Sequence, residues 1–226
     1  MSCAAPSTSS RAPVTSAPEL PALARIGVLG GTFNPPHLGH LLCGQEALVG
    51  LGLDRILMVP AGAPPHKPVE ADPGPAQRLA LCRAAVRGDP RFQVSDIEMG
   101  RDGPSYTVDT LNALHESTPE SELYLIVGGD AAAGFRSWHQ PERVLDLATL
   151  AVANRRGTPR AAIEAALTGL PGADRTRFFA MPRIGISSTD IRARIRDRRP
   201  IRYLVPDAVA SHIAENGLYQ KVNPSR

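Results

Sequence analysis

The chain has 226 residues, enough for one good core, and its 42% hydrophobic and 21% charged content is that of an ordinary globular domain. A formal charge of +3 and the lack of any run near the ~18 apolar residues of a bilayer span argue against nucleic-acid binding and against membrane insertion. Three cysteines, Cys3, Cys43 and Cys82, are odd in number and lack paired spacing, which argues against a disulfide framework or a zinc site and points to a reducing compartment, the cytoplasm.

Residues 1–24 are rich in Ala, Pro, Ser and Thr and read as a disordered tail. A folded domain is expected over 25–220, with 221–226 as a second tail. Within the domain, apolar strand-like runs alternate with helical stretches. The runs are Arg25 to Leu29, Arg55 to Val59, Leu123 to Val127 and Thr149 to Ala153. The helical candidates are Leu38 to Val49, Pro75 to Arg87, Ser105 to His115, Pro141 to Asp146 and Thr189 to Arg196. Strands apolar throughout and separated by helices predict an α/β fold: a Rossmann-like, doubly wound parallel sheet with a small helical C-terminal part. Ligands of such sheets sit beyond the carboxyl ends of the strands, near the point where strand order reverses. The informative loops are therefore Gly30-Gly31-Thr32, Pro60 to Pro68, and Gly128-Gly129-Asp130.

The first of these loops is the richest. Gly30 to His40 reads GGTFNPPHLGH. Adjacent glycines let backbone approach a ligand, and a helix start just after a strand offers N–H groups and a positive dipole end to phosphate. His37 and His40 lie three apart, on one face of the first turn. As donors they would grip phosphate oxygens on which charge builds as a bond breaks. The competing readings are a pair that merely caps the helix, or a metal site, although a helical metal pair is usually spaced by four with a third ligand elsewhere.

Ile186 to Arg192, ISSTDIR, forms a second anion-binding candidate. Ser187 and Asp190 have capping-box spacing. A helix starting there aims N–H groups and the hydroxyls of Ser187, Ser188 and Thr189 at a phosphate, with Arg192 reaching back one turn. Ile191 and Ile195 are expected to face the core, with Arg192, Arg196 and Arg199 on the opposite side. Of the 25 basic residues only Lys67 and Lys221 are lysines. An Arg-heavy set suits phosphate partners, though genome composition explains it as well.

Together, the GGTFNPPHLGH opening and the late ISSTDIR resemble the paired pattern of the HxGH nucleotidylyltransferases. Within that superfamily the chain is similar to the nicotinate-nucleotide adenylyltransferases, which join nicotinate mononucleotide to the adenylyl group of ATP. Pro64-Pro65-His66-Lys67, the segment Gly103 to Leu111 (GPSYTVDTL), Gly128-Gly129-Asp130 with Phe135 to Trp138, and Gly217-Leu218-Tyr219 extend the likeness from Arg25 to about Gln220. The resemblance implies ATP contacts from Gly30, Gly31, Thr32, Phe33, His37, His40, Asp130, Ser187, Ser188, Thr189 and Arg192, with His37, His40 and Arg192 carrying catalysis. It implies mononucleotide contacts from Thr32, Phe33, Lys67, Thr107, Trp138 and Arg155. Trp138, the sole tryptophan, would stack on the pyridine ring and the Thr107 segment would meet its carboxylate. Asp130 would accept from a ribose hydroxyl; read from its position alone, it could instead cap the following helix.

Three departures accompany the likeness. Asn34 stands where Asp is frequent, Ala61-Gly62 replaces an Asn in the second-strand loop, and Arg155-Arg156-Gly157 stands for an RPG that would carry a proline restraint. The implied partners are ATP and nicotinate mononucleotide, with Mg2+ carried mainly by the ATP phosphates and no protein-built metal site. A homo-oligomer is left open. Competing readings are a sibling transferase acting on nicotinamide mononucleotide, phosphopantetheine or a cytidylyl donor, and a catalytically silent nucleotide sensor.

Overall fold

The structure is a computed structural model and describes residues 23–64, 71–154 and 158–220. In chain order the elements are β1 (Arg25–Gly31), α1 (Leu38–Leu51), β2 (Arg55–Pro60), α2 (Pro75–Ala85), β3 (Phe92–Val94), α3 (Thr107–Ser117), β4 (Glu122–Gly128), α4 (Gly129–Ala133), α5 (Pro141–Leu147), β5 (Thr149–Asn154), α6 (Arg160–Leu167), β6 (Arg177–Ala180), α7 (Ser188–Arg196) and α8 (Asp207–Glu215). The strands among the described residues pair in parallel in the order β3-β2-β1-β4-β5-β6. Strand order reverses between β1 and β4, so the crevice at their carboxyl ends is the expected ligand position.

The central strands are apolar because both of their faces are covered. On one face, Val28, Leu125 and Leu150 pack with Leu111 of α3, Leu145 of α5 and Ile163 of α6. On the other, Leu29, Ile56, Met58 and Ile126 pack with Ala47 of α1 and Cys82 of α2. A third cluster joins Leu81 of α2 to Ile191 of α7, Val209 and Ile213 of α8, and Tyr219. This last contact fixes the helical C-terminal part against the sheet domain, beside the loops that follow β1 and β2.

All four expected strands and all five expected helices are present, with ends shifted by a few residues. The remaining elements carry no clear signal in the sequence. β3 and β6 are three- and four-residue edge strands, too short to show as apolar runs. α4 has five residues of Gly, Asp and Ala only. α6 and α8 bury Ile163 with Leu167 and Val209 with Ile213, pairs spaced by four on modest helices.

Candidate active site

β1 delivers its two glycines to the crevice in register with Val59 and Pro60 of β2. A methyl group on Gly30 would meet no neighbour, so this glycine faces open space. On Gly31 it would come within 3.2 Å of the Phe33 ring, which folds back over that residue. Phe33 itself is buried and holds φ 49, a left-handed conformation uncommon for a bulky side chain. The turn thereby drops the Phe33 ring inward and sends the chain through Asn34 and Pro35, a cis peptide, toward α1.

His37 caps α1 with extended backbone angles, and His40 occupies the third helical position. Their rings stack with centroids 3.7 Å apart and planes 25° apart. The edge of Phe33 meets His40 at 5.0 Å. A side chain on the intervening Gly39 would press within 3.0 Å of the His37 ring, which explains the glycine between the two histidines. The His37 N–H donates to His40 Nδ1 at 3.1 Å. With that nitrogen accepting, neutral His40 carries its proton on Nε2, which leaves a donor for a ligand. Burial lowers His37 to about 4; burial and then repulsion from His37 lower His40 to about 3. Both rings are therefore neutral at physiological pH before any ligand arrives. The first turn has fewer open backbone donors than the sequence led us to expect, since the Leu38 N–H bonds Leu204 O at 3.0 Å and the His40 N–H bonds His37 O at 2.9 Å.

The ISSTDIR segment lies against this turn. Ser187 caps α7 as expected, its Oγ accepting from the Asp190 N–H at 3.1 Å and donating to Asp190 Oδ2 at 2.7 Å. Ser188 Oγ donates to Pro35 O at 2.8 Å and Arg192 Nη1 to Asn34 O at 2.8 Å. Arg192 Nη2 also reaches Thr189 Oγ1 at 3.4 Å. The two motifs therefore share one backbone junction. One expectation is corrected: Arg192 does not share an outer face with Arg196 and Arg199. It is 8% exposed, next to the fully buried Ile191, because its guanidinium turns toward the Asn34 carbonyl.

Beyond the glycines lies a cavity of about 240 Å³, lined on the turn side by Thr32 and Ala61 and opposite by Tyr106, Thr107, Trp138 and His139. Trp138 sits at its rim, the ring backed by fully buried Phe135 at 5.1 Å. Tyr106 and His139 meet on the same rim with centroids 4.4 Å apart and planes tilted by 33°. Thr107 opens α3, two residues later than expected, with Tyr106 as cap. The first N–H groups of that helix have no intrahelical acceptor, which suits a carboxylate in the cavity. The cavity walls are tied together: Ser105 Oγ accepts from the Ala63 N–H at 3.1 Å, and the Ser105 N–H bonds Ala63 O at 2.8 Å.

Asp130 lies inside the first turn of α4, and the cap is Gly128, so the helix-capping reading is not met. Its Oδ1 accepts from Thr158 Oγ1, across a close approach in which a side chain on Gly129 would meet Thr158 at 3.2 Å. Lys67 and Arg155 lie outside the described residues. Sequence reasoning missed Arg78, Glu98 and His139. Of these, Arg78 carried a signal: it shares a helical face with Leu81, Cys82 and Ala85, and a lone charge on an apolar face asks for a partner.

Sheet order, a glycine turn at the reversal point, and paired imidazoles met by serine and arginine define the nucleotidyltransferase class. The cytidylyltransferase-like family model matches residues 28–194. A probable nicotinate-nucleotide adenylyltransferase of Roseiflexus sp. (strain RS-1) is 45% identical over 199 residues, covering 87% of this chain and 98% of the relative. A protein of the same description from Thermus thermophilus is 45% identical over 196 residues, covering 87% and 100%. The chain belongs to the nicotinate-nucleotide adenylyltransferase family. Its fold is similar to that of Plasmodium falciparum nicotinic acid mononucleotide adenylyltransferase complexed with NaAD, at TM-score 0.69 and 18% identity over 87% of this chain and 97% of that one.

Proposed function

We propose that this chain transfers the adenylyl group of ATP to nicotinate mononucleotide, giving deamido-NAD and pyrophosphate. The observation that carries the reading is the convergence just described: Ser188 and Arg192 bond the backbone that leads into the His37–His40 pair, beside an aromatic-rimmed cavity. The mononucleotide phosphate attacks the α-phosphorus in line, and pyrophosphate leaves with the electron pair. No side-chain nucleophile is needed. Catalysis comes from alignment and from donors aimed at developing charge. His37, His40, Ser188 and Arg192 are assigned to the triphosphate, together with Ser187 and Thr189 at the α7 start. Gly30, Gly31, Thr32 and Phe33 supply main chain between the substrates, and Asp130 is assigned to the ribose. Trp138 stacks on the pyridine and Thr107 meets its carboxylate; Lys67 and Arg155 are assigned to the mononucleotide from sequence.

Magnesium is assigned to ATP's own oxygens, where it neutralises phosphate charge. Among the described residues no three His, Cys, Asp or Glu side chains come together as a cage. We read 25–220 as one nucleotidyltransferase domain and propose a cytoplasmic setting from the odd, unspaced cysteines. No helix among the described residues is long and apolar enough to cross a membrane.

Pyrophosphate release measured side by side with nicotinate and nicotinamide mononucleotides tests the reading. Preference for the carboxylate form is expected. Equal rates would assign a sibling activity, and nucleotide binding without pyrophosphate would assign a sensor.

A further inference from the structure

Arg78 is the largest fully buried side chain among the described residues, at 0% exposure, and it does not line the cavity. A buried guanidinium is costly unless its donors are satisfied. Here Nε bonds Asp72 Oδ1 at 3.0 Å, Nη1 bonds the carbonyls of Ala61 and Thr32, and Nη2 bonds Gly62 O at 2.9 Å. Those acceptors belong to two different loops. Thr32 follows β1; Ala61 and Gly62 follow β2, and Asp72 stands at the far end of the same β2–α2 connection. One planar fork therefore joins the two loops and both feet of one of them.

Gly62 extends the connection. Its N–H donates to Glu98 Oε2 at 3.2 Å, and Glu98 Oε1 accepts from Thr110 Oγ1 of α3 at 2.6 Å. A side chain on Gly62 would lie 2.2 Å from the Glu98 carbonyl oxygen, so this approach is as close as backbone allows. The chain of contacts Asp72–Arg78–Gly62–Glu98–Thr110 links the β2–α2 connection to α3, whose first residue Thr107 lines the cavity. Thr32, Ala61 and Glu98 all line that cavity; of the Arg78 acceptors only Thr32, held at 3.4 Å, lies in the main chain assigned between both substrates, and none belongs to the His37, His40, Ser188 and Arg192 group.

We propose that Arg78 is the positioning residue for the mononucleotide: its guanidinium holds the Thr32 and Ala61 loops together as one wall of the cavity, and so sets the fit of the pyridine half-site, without touching substrate. The inference rests on the reading that this cavity takes the pyridine ring. Lysine keeps the charge at this position but cannot span carbonyls of two loops and a carboxylate at once. Asp72, 28% exposed at its side chain, is the weaker and safer handle.

The test uses the full chain with Arg78→Lys and Asp72→Asn. Trp138 is the only tryptophan and lines the cavity, so quenching of its fluorescence by nicotinate mononucleotide reports binding without turnover. Arg78→Lys is expected to raise the mononucleotide Kd and KM about tenfold or more while the ATP KM stays within about twofold, and Asp72→Asn to do the same less steeply. A folded Arg78→Lys protein with mononucleotide Kd within about twofold of wild type, or with both KM values raised alike, overturns the proposal. Should Arg78→Lys fail to fold, an unchanged mononucleotide Kd in Asp72→Asn overturns it. Wild-type protein that shows neither quenching nor pyrophosphate release would instead sink the assigned activity, an outcome separate from any ratio between variants.

Discussion

Arg192 donates to the carbonyl of Asn34 at 2.8 Å across 158 residues of chain. That bond brings the late ISSTDIR segment to the turn before the imidazole pair. It also fixes the plane of the guanidinium beside that turn, where a triphosphate held by the imidazoles would meet it. Arg192→Lys is expected to lower kcat/KM for ATP by roughly tenfold to a hundredfold, the size of one charge-assisted hydrogen bond of about 1.5–3 kcal/mol. Steady-state kinetics with ATP varied at saturating mononucleotide will check it, and an unchanged kcat/KM would remove Arg192 from the triphosphate site.

His40→Ala removes a donor and also the acceptor of the His37 N–H. A fall in kcat of ~10²–10³-fold is expected, the scale for one preorganised donor. Lost capping should cost only about 1 kcal/mol, or about 2–4 °C in Tm for a chain of this size. Rapid-quench turnover and thermal melts separate the two effects; near wild-type turnover would leave His40 a helix cap alone.

The imidazoles also set a pH dependence. Their folded values, about 4 for His37 and about 3 for His40, lie below the ~6.5 of an unfolded histidine. Between those limits the unfolded chain binds more protons than the folded one. Stability of the nucleotide-free protein is thus complete above about pH 6.5 and declines as pH falls toward 4. His40→Ala should flatten that decline in melts taken across this range. A triphosphate beside the rings favours the imidazolium, so ATP binding near pH ~5.5 should take up protons, read as buffer-dependent heat in calorimetry. Equal heats in buffers of different ionisation enthalpy would contradict it.

How much of this was legible before the structure depends on length and burial. β1, β2, β4 and β5 announce themselves as continuous apolar runs because helices cover both their faces. β3 and β6 sit at the sheet edges with three and four residues, and β6 opens on an exposed Arg177, so neither shows a pattern. At the site, the Ser187 cap was readable from spacing alone. The burial of Arg192 was not, since Ile191 and Ile195 on the core side set it on the opposite side with Arg196 and Arg199, and only the Asn34 carbonyl, remote in sequence, draws it in. Glu98 offered no local signal at all, because its role comes from Gly62 and Thr110 on other elements.

Trp138→Ala should raise the KM for nicotinate mononucleotide about tenfold with little change for ATP, the scale of one stacking contact beyond its buried area. The ratio of the two KM values decides it. An equal rise for both substrates would mean that Trp138 supports the fold through Phe135 and does not read the ring.

Gly62→Ala places a methyl group 2.2 Å from the Glu98 carbonyl oxygen, where backbone must yield. Overpacking of this kind costs about 1–3 kcal/mol, and each kcal/mol lowers Tm by about 2–4 °C. Differential scanning calorimetry against wild type checks it, and an unshifted Tm would show that the approach is softer than described.

The crevice has two halves that share little beyond the β1 turn. Tyr106, Thr107 and Trp138 rim one, while His37, His40, Ser188 and Arg192 build the other. If the first half takes the acceptor and the second the triphosphate, as proposed, selection can retool one chamber for a different small molecule while the other stays untouched, and a designer who wishes to change the acceptor has a defined set of positions at which to begin.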